Sequence, residues 1–308
     1  MKKYIIGLGC SWTQGEGGYP KEVVDEHNGY TQIRGRDDYY LRKYELENSW
    51  VNQLARDHFP DHIPVNLGIK GIGNYAAVNQ LHYLDQHDIS EGTGIIILML
   101  SGLERLDFFQ RDPRKADKNK DPDFYSDGYY EHLKWRTAWP YEIKEGDSVL
   151  WNTYARELWS ELFVANNTMM TLLNLQNYAK TINFELVVAN AFNGYSSGVY
   201  EFLKEHCQPL VNKFDWSCYL HNTTDYSAFM EKLVLLDGKI PDWRGFHSYY
   251  HPKNLKTHSE YLTNDEGAHP TIKGYKVIAD ELAKFINSRN YDKKENSQLR
   301  QSQLSARP

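Results

Sequence analysis

Cysteine is scarce: the 308 residues hold three, Cys10, Cys207 and Cys218. Three thiols cannot frame a disulfide scaffold, and a chain of this length buries enough apolar surface to fold without a staple. Cys207 and Cys218 lack the close spacing of metal ligands and read as packed thiols. Long apolar runs are missing too. None approaches the ~20 residues of a membrane-spanning helix, so no membrane partner is expected. The apolar run near the start, in Tyr4 to Cys10, falls short of the ~7–15 residues of a signal-peptide core. It reads as a buried first strand of a soluble protein with no cleavable signal. Positive charge is short: 35 Lys and Arg stand against 41 Asp and Glu, a net charge of −6. Phosphate backbones demand the opposite balance, so no nucleic-acid partner is expected. A Walker A sequence is absent.

Aromatic rings are abundant, with 23 Tyr and 8 Trp. Rings of this kind serve cores, and they also line sugar sites, because they join flat apolar area to a polar edge. Many lie in polar segments: Tyr19, Tyr30, Tyr39, Tyr40 and Tyr44 in one, Tyr125, Tyr129, Tyr130, Trp135 and Trp139 in another. They either pack long loops onto the body or cover a site and stack on its ligand.

Along the chain, short β-branched or apolar runs alternate with helical patterns. Strands are expected at 4–10, 63–68, 93–101 and 184–192. The third is apolar at consecutive positions, as in a parallel sheet covered on both faces. Ser49 caps a helix through Trp50, Leu54 and Phe59. Further helices are expected from about Asn74, over 149–180 and over 271–287, with a short one at Leu233 to Leu236. Trp216 to Leu220 suits a fifth strand or a loop. Residues 16–48, 106–148 and 193–263 read as insertions, and the polar 289–308 as a disordered tail. The expected fold is α/β: one three-layer α/β/α domain over 1–288 with a parallel, doubly wound sheet. Sites in such folds lie at the carboxyl ends of the strands.

Two motifs fall there. Gly9-Cys10-Ser11-Trp12-Thr13-Gln14-Gly15 follows the first strand, where a serine projects its hydroxyl or merely caps a helix. A serine needs a neighbouring base to become a nucleophile. Asp265-Glu266-Gly267-Ala268-His269-Pro270 precedes the last helix, and a carboxylate on that turn can orient the imidazole. A dinucleotide fingerprint fails, because Gly7-x-Gly9 would need its third glycine at Trp12. His247, His251 and His258 share a Tyr-rich segment, but Gly245 and Pro252 break any helix there, so no metal and no cofactor is expected.

Together the motifs resemble the SGNH (GDSL-type) hydrolase family, in the Gly-Cys-Ser-x-Thr variant of phage and bacterial members. The resemblance covers residues 1–15, 49–105, 184–192 and 264–287. It implies a flavodoxin-like fold and a serine esterase or deacetylase. The substrate class it suggests is a small-molecule or glycan ester, with O-acyl groups on a carbohydrate foremost. In the first block Ser11 is the nucleophile. In the last block His269 is the base, with Glu266, or the adjacent Asp265, as the acid that orients it. In the second block, Asn66-Leu67-Gly68-Ile69-Lys70-Gly71, the backbone N–H of Gly71 is an oxyanion donor. The third block departs: Ser101-Gly102-Leu103-Glu104-Arg105 has Glu104 where the family has an oxyanion asparagine. Asn74 or Arg105 then stands in as a donor. The alternative reading is an SGNH-fold binding or structural module of weak catalytic power, such as a phage particle component. Location is accordingly cytoplasmic or virion-associated.

Overall fold

The computed structural model describes residues 1–33, 39–103, 105–111, 133–138, 153, 157–191, 198–220, 229, 233, 236, 260–263 and 269–305. Four parallel strands form the central sheet: β1 (Lys3–Gly9), β2 (His62–Asn66), β3 (Thr93–Leu100) and β6 (Phe184–Asn190). Their order is β2-β1-β3-β6. The chain therefore winds outward in both directions from β1. That puts a topological switch point between β1 and β3, whose register pairs Gly9 with Met99.

Side-chain alternation divides the core in two. Ile6, Leu8, Ile96, Leu98, Leu100, Leu186 and Val188 face one side, with helices α6 (Asn74–Asn79), α7 (His82–Gln86), α8 (Glu161–Thr181) and α9 (Gly198–Val211). Ile5, Ile95, Ile97, Met99, Val187 and Ala189 face the other, with α5 (Trp50–His58) and α10 (Ile272–Ser305). Both faces are thus covered, which is why the third strand is apolar at consecutive positions. Each fully buried Ile or Leu contributes about 1.5–3 kcal/mol of burial.

The segment 16–48, which reads as an insertion of little periodicity, carries three helices: α2 (Lys21–Glu26), α3 (Tyr30–Ile33) and α4 (Tyr39–Asn48). Tyr19, Val23, Ile33 and Leu41 form a small core of their own, with Tyr30 and Tyr44 against it. Those tyrosines pack the insertion; Tyr125, Tyr129, Tyr130 and Trp139 lie outside the described residues. In the second insertion β4 (Leu106–Arg111) pairs antiparallel with β5 (Leu133–Ala138). The third includes α9, with Pro209 inside it and non-helical geometry at Cys207.

The helix expected from Asn74 is broken into α6 and α7 at Gln80 and Leu81. Trp216–Cys218 is a 3₁₀ turn, and Tyr219 then makes a single parallel bridge to Val188. The fifth strand is reduced to that bridge. The polar end does not leave the helix where composition breaks: α10 runs on to Ser305. Its Lys, Glu, Gln and Arg residues all have good helix propensity. Among the described residues no helix is long and apolar enough to cross a membrane.

Candidate active site

Ser11 opens the four-residue helix α1 (Ser11–Gln14), directly after β1. The carbonyl of Cys10 accepts from the N–H groups of Thr13 and Gln14, at 2.9 and 3.0 Å, which turns the chain sharply off the sheet. Gly15 ends α1 in the left-handed region, at φ 107°. A Cβ there would lie 1.9 Å from the carbonyl oxygen of Glu45, so only glycine fits.

His269 stands just before α10 and is buried. A small antiparallel knot fixes it. Its carbonyl accepts from the Thr263 N–H at 2.7 Å, and its own N–H donates to Thr263 Oγ1 at 2.9 Å. Its Nε2 then lies 2.9 Å from Ser11 Oγ, across 258 positions of sequence. The two side chains that the sequence singles out separately are brought into hydrogen-bonding reach.

A third group joins them. Glu16 is 7% exposed, and its Oε2 lies 3.2 Å from the same His269 Nε2. Its backbone is held by the Tyr275 hydroxyl, which donates to the Glu16 carbonyl at 2.7 Å. Behind Glu16 runs a buried polar network. Lys70 Nζ is 3.8 Å from Glu16 Oε1 and 2.8 Å from Glu45 Oε1. Gln14 Nε2 donates to Glu45 Oε2 at 2.7 Å, and Gln14 Oε1 accepts from the Lys70 N–H at 3.0 Å. The Tyr19 hydroxyl also donates to Glu45. Burial pushes the Tyr275 phenol well above its ordinary range, so it serves as a neutral donor.

The second motif is packed against α1. Asn66 Nδ2 donates to the Thr13 carbonyl at 2.7 Å, and Asn66 Oδ1 accepts from the Gly68 N–H at 2.9 Å. Gly71 is at the exposed tip of the following turn, with φ 74°. Asn74 is buried, and its Oδ1 accepts from the Ser101 N–H at 2.8 Å, tying α6 to the end of β3. Its Nδ2 is 3.4 Å from the Ser101 carbonyl. Arg105 Nη1 donates to the Ile72 carbonyl at 2.9 Å. Asn74 and Arg105, the two residues singled out as oxyanion donors, therefore both hold backbone. Asp265, Glu266 and Glu104 lie outside the described residues, as do His247, His251 and His258. Among the described residues no group of three or more His, Cys, Asp or Glu could hold a metal.

Sequence reasoning missed Glu16, Glu45 and Lys70. Glu16 and Glu45 fall in the segment dismissed as an inserted loop. One signal was available for Glu16: an acid set between glycines, in Gly15-Glu16-Gly17-Gly18, immediately after the serine motif. Gly17 adopts φ 96°, and a Cβ there would meet His269 Cβ at 3.0 Å. That glycine lets the Glu16 turn approach the histidine.

No protein-family profile matches the chain, and no curated protein matches it. Among solved structures, the lipase Lip_vut3 from goat rumen metagenome is similar to it over 92% of this chain and 97% of that one, at 11% identity and a TM-score of 0.40.

Proposed function

We propose that this chain is a serine hydrolase of the SGNH type that cleaves ester bonds. The observation that carries the reading is the 2.9 Å contact between Ser11 Oγ and His269 Nε2, made at the carboxyl end of a parallel sheet. In the proposed reaction, the Ser11 proton passes to His269 Nε2 as Oγ bonds the acyl carbon. The carbonyl electron pair moves onto oxygen, where the backbone N–H groups of Ser11 and Gly71 receive it. Asn74 or Arg105 assists at the rim. Collapse expels the alcohol, which takes the proton from Nε2. A water activated by the same nitrogen then frees the acid product. Glu266, or Asp265 beside it, orients the imidazole. The first substrate class to test is an O-acylated carbohydrate, the class that the family resemblance suggests.

The test is capture of Ser11 by a fluorophosphonate probe together with turnover of p-nitrophenyl acetate. Wild type is expected to do both and Ser11→Ala neither, with its thermal midpoint roughly unchanged. Equal turnover in the variant would rule the mechanism out. One observation favours the second reading, a binding module: the donors of both residues are engaged by backbone, Asn74 Nδ2 with the Ser101 carbonyl and Arg105 Nη1 with the Ile72 carbonyl. Losing one oxyanion donor costs about 10²–10³ in rate. Tight glycan binding without probe capture would support that reading instead.

A further inference from the structure

We propose that Glu16 is a catalytic residue for this reaction: its carboxylate stabilises the charge that His269 takes up at Nε2 as Ser11 is deprotonated. The inference rests on the serine-hydrolase reading and adds to it a carboxylate on the serine side of the imidazole. Its basis is an asymmetry between the resting and reacting states. At rest, Nε2 accepts from the Ser11 hydroxyl at 2.9 Å, and an ionised Glu16 at 3.2 Å has no hydrogen to offer that nitrogen. When the O–H bond of Ser11 breaks and the proton arrives on Nε2, the imidazole becomes a cation with Glu16 Oε2 3.2 Å from that nitrogen. The carboxylate then stabilises the new charge. An interaction gained only as the proton moves lowers the barrier and leaves ground-state binding alone.

The charges around the site agree. Among the described residues five groups face this corner: Glu16 from the turn after α1, Tyr19 from the segment leading into α2, Glu45 from α4, Lys70 from the connection between β2 and α6, and the neutral Tyr275 from α10. The one ammonium is shared by two carboxylates, at 3.8 and 2.8 Å. An imidazolium supplies a second cation to a cluster that, among the described residues, holds one positive and two negative charges. Glu16 is also fixed in place. Its carbonyl is bonded by Tyr275 and its N–H donates to the Ser11 carbonyl at 3.1 Å, so the carboxylate and the nucleophile move as one body.

The experiment measures kcat and KM for p-nitrophenyl acetate, and the rate of fluorophosphonate capture, from about pH 5 to 9, the range over which histidine titrates. It compares wild type, Glu16→Gln and Lys70→Met. Glu16→Gln keeps the shape and removes the charge. An opposite charge this close favours the protonated imidazole by about 10–100-fold, so kcat should fall by that factor with KM within about twofold. Removing an anion beside an imidazolium also moves the acid limb of the rate profile to lower pH. Lys70→Met deletes the offsetting cation and should move the limb the other way. An unchanged kcat and an unmoved limb in Glu16→Gln would overturn the assignment, as would a stationary limb in Lys70→Met should Glu16→Gln fail to fold. A wild-type chain inert to both probe and ester would instead sink the hydrolase reading beneath it.

Discussion

At the scale of single residues, two glycines near the serine separate steric from conformational demand. A Cβ on Gly68 would stand 2.3 Å from the backbone nitrogen of Gln14, and backbone cannot yield as a flexible side chain can. Gly71 has nothing within 4 Å of the same position but sits at φ 74°. Gly71→Ala therefore carries only the left-handed strain, about 1–2 kcal/mol. Gly68→Ala instead must push α1 off the end of β2. Its thermal midpoint should fall further, and its probe capture should slow because Ser11 moves with α1. Equal midpoints for the two variants would refute the packing argument. Gln14 offers a second test. Its amide bridges the half-buried Lys70 N–H and the buried Glu45. Gln14→Leu removes the acceptor of the Lys70 N–H and one of three donors to Glu45, which keeps Tyr19 and Lys70, a cost of about 1–3 kcal/mol in all, measurable by denaturant unfolding. Of this chemistry, Ser11 and His269 were legible because their neighbours form recognisable runs. Glu16, Glu45 and Lys70 were not, since no local pattern says which acid among many will be buried.

At the scale of elements, the insertions are attached to the site and do not merely surround it. Asp107 on β4 accepts from the N–H groups of Gly73 and Ala76, at 2.7 and 2.9 Å. It caps α6 from more than thirty residues away, so no capping motif in the sequence announces it. Asp107→Ala should cost about 1–2 kcal/mol, the range of a lost helix cap, read from the urea midpoint. The strands were legible because burial on both faces leaves continuous apolar runs. Helices α2 to α4 were not, because their apolar residues pack a small satellite core and one of the buried residues of α4 is the charged Glu45. On the far side of the sheet, ion pairs link α5 to α10: Lys276 to Asp57 at 3.2 Å and His58 to Asp280 at 2.7 Å. The hydrogen bond from Arg56 holds Asp57 below the usual carboxylate range. Burial pushes Asp280 up, but bonds from Lys276 and His58 more than reverse it. A carboxyl that is more acidic folded than unfolded stabilises the fold above its unfolded pKa. That stability fades as pH falls through the folded value. Both groups face solvent, so each contributes less than about 1 kcal/mol. Asp57→Asn should flatten the decline of thermal midpoint between about pH 5 and 3. An unaltered slope would show the pair to be inert.

At the scale of the whole molecule, the two half-cores on either side of the sheet enclose all three thiols. Cys10, Cys207 and Cys218 are each buried, and burial pushes Cys218 up to about 12. A thiol reagent such as DTNB should therefore find almost no reactive group in the native protein and three on unfolding. Prompt reaction of even one would mean that the packing around it opens readily. The doubly wound arrangement was legible as a whole, because alternating strands and helices with covered strands admit few topologies. The extent of α10 was not legible, because composition reports how well a segment is solvated and not whether its backbone is helical.

The distance along the chain between Ser11 and His269 has a temporal meaning as well. On the proposed hydrolase reading, Ser11 stays chemically silent until α10 docks and brings His269 to it. Ester turnover, followed during refolding, then acts as a clock for that docking event. It should lag behind formation of the parallel sheet and coincide with burial of Tyr275.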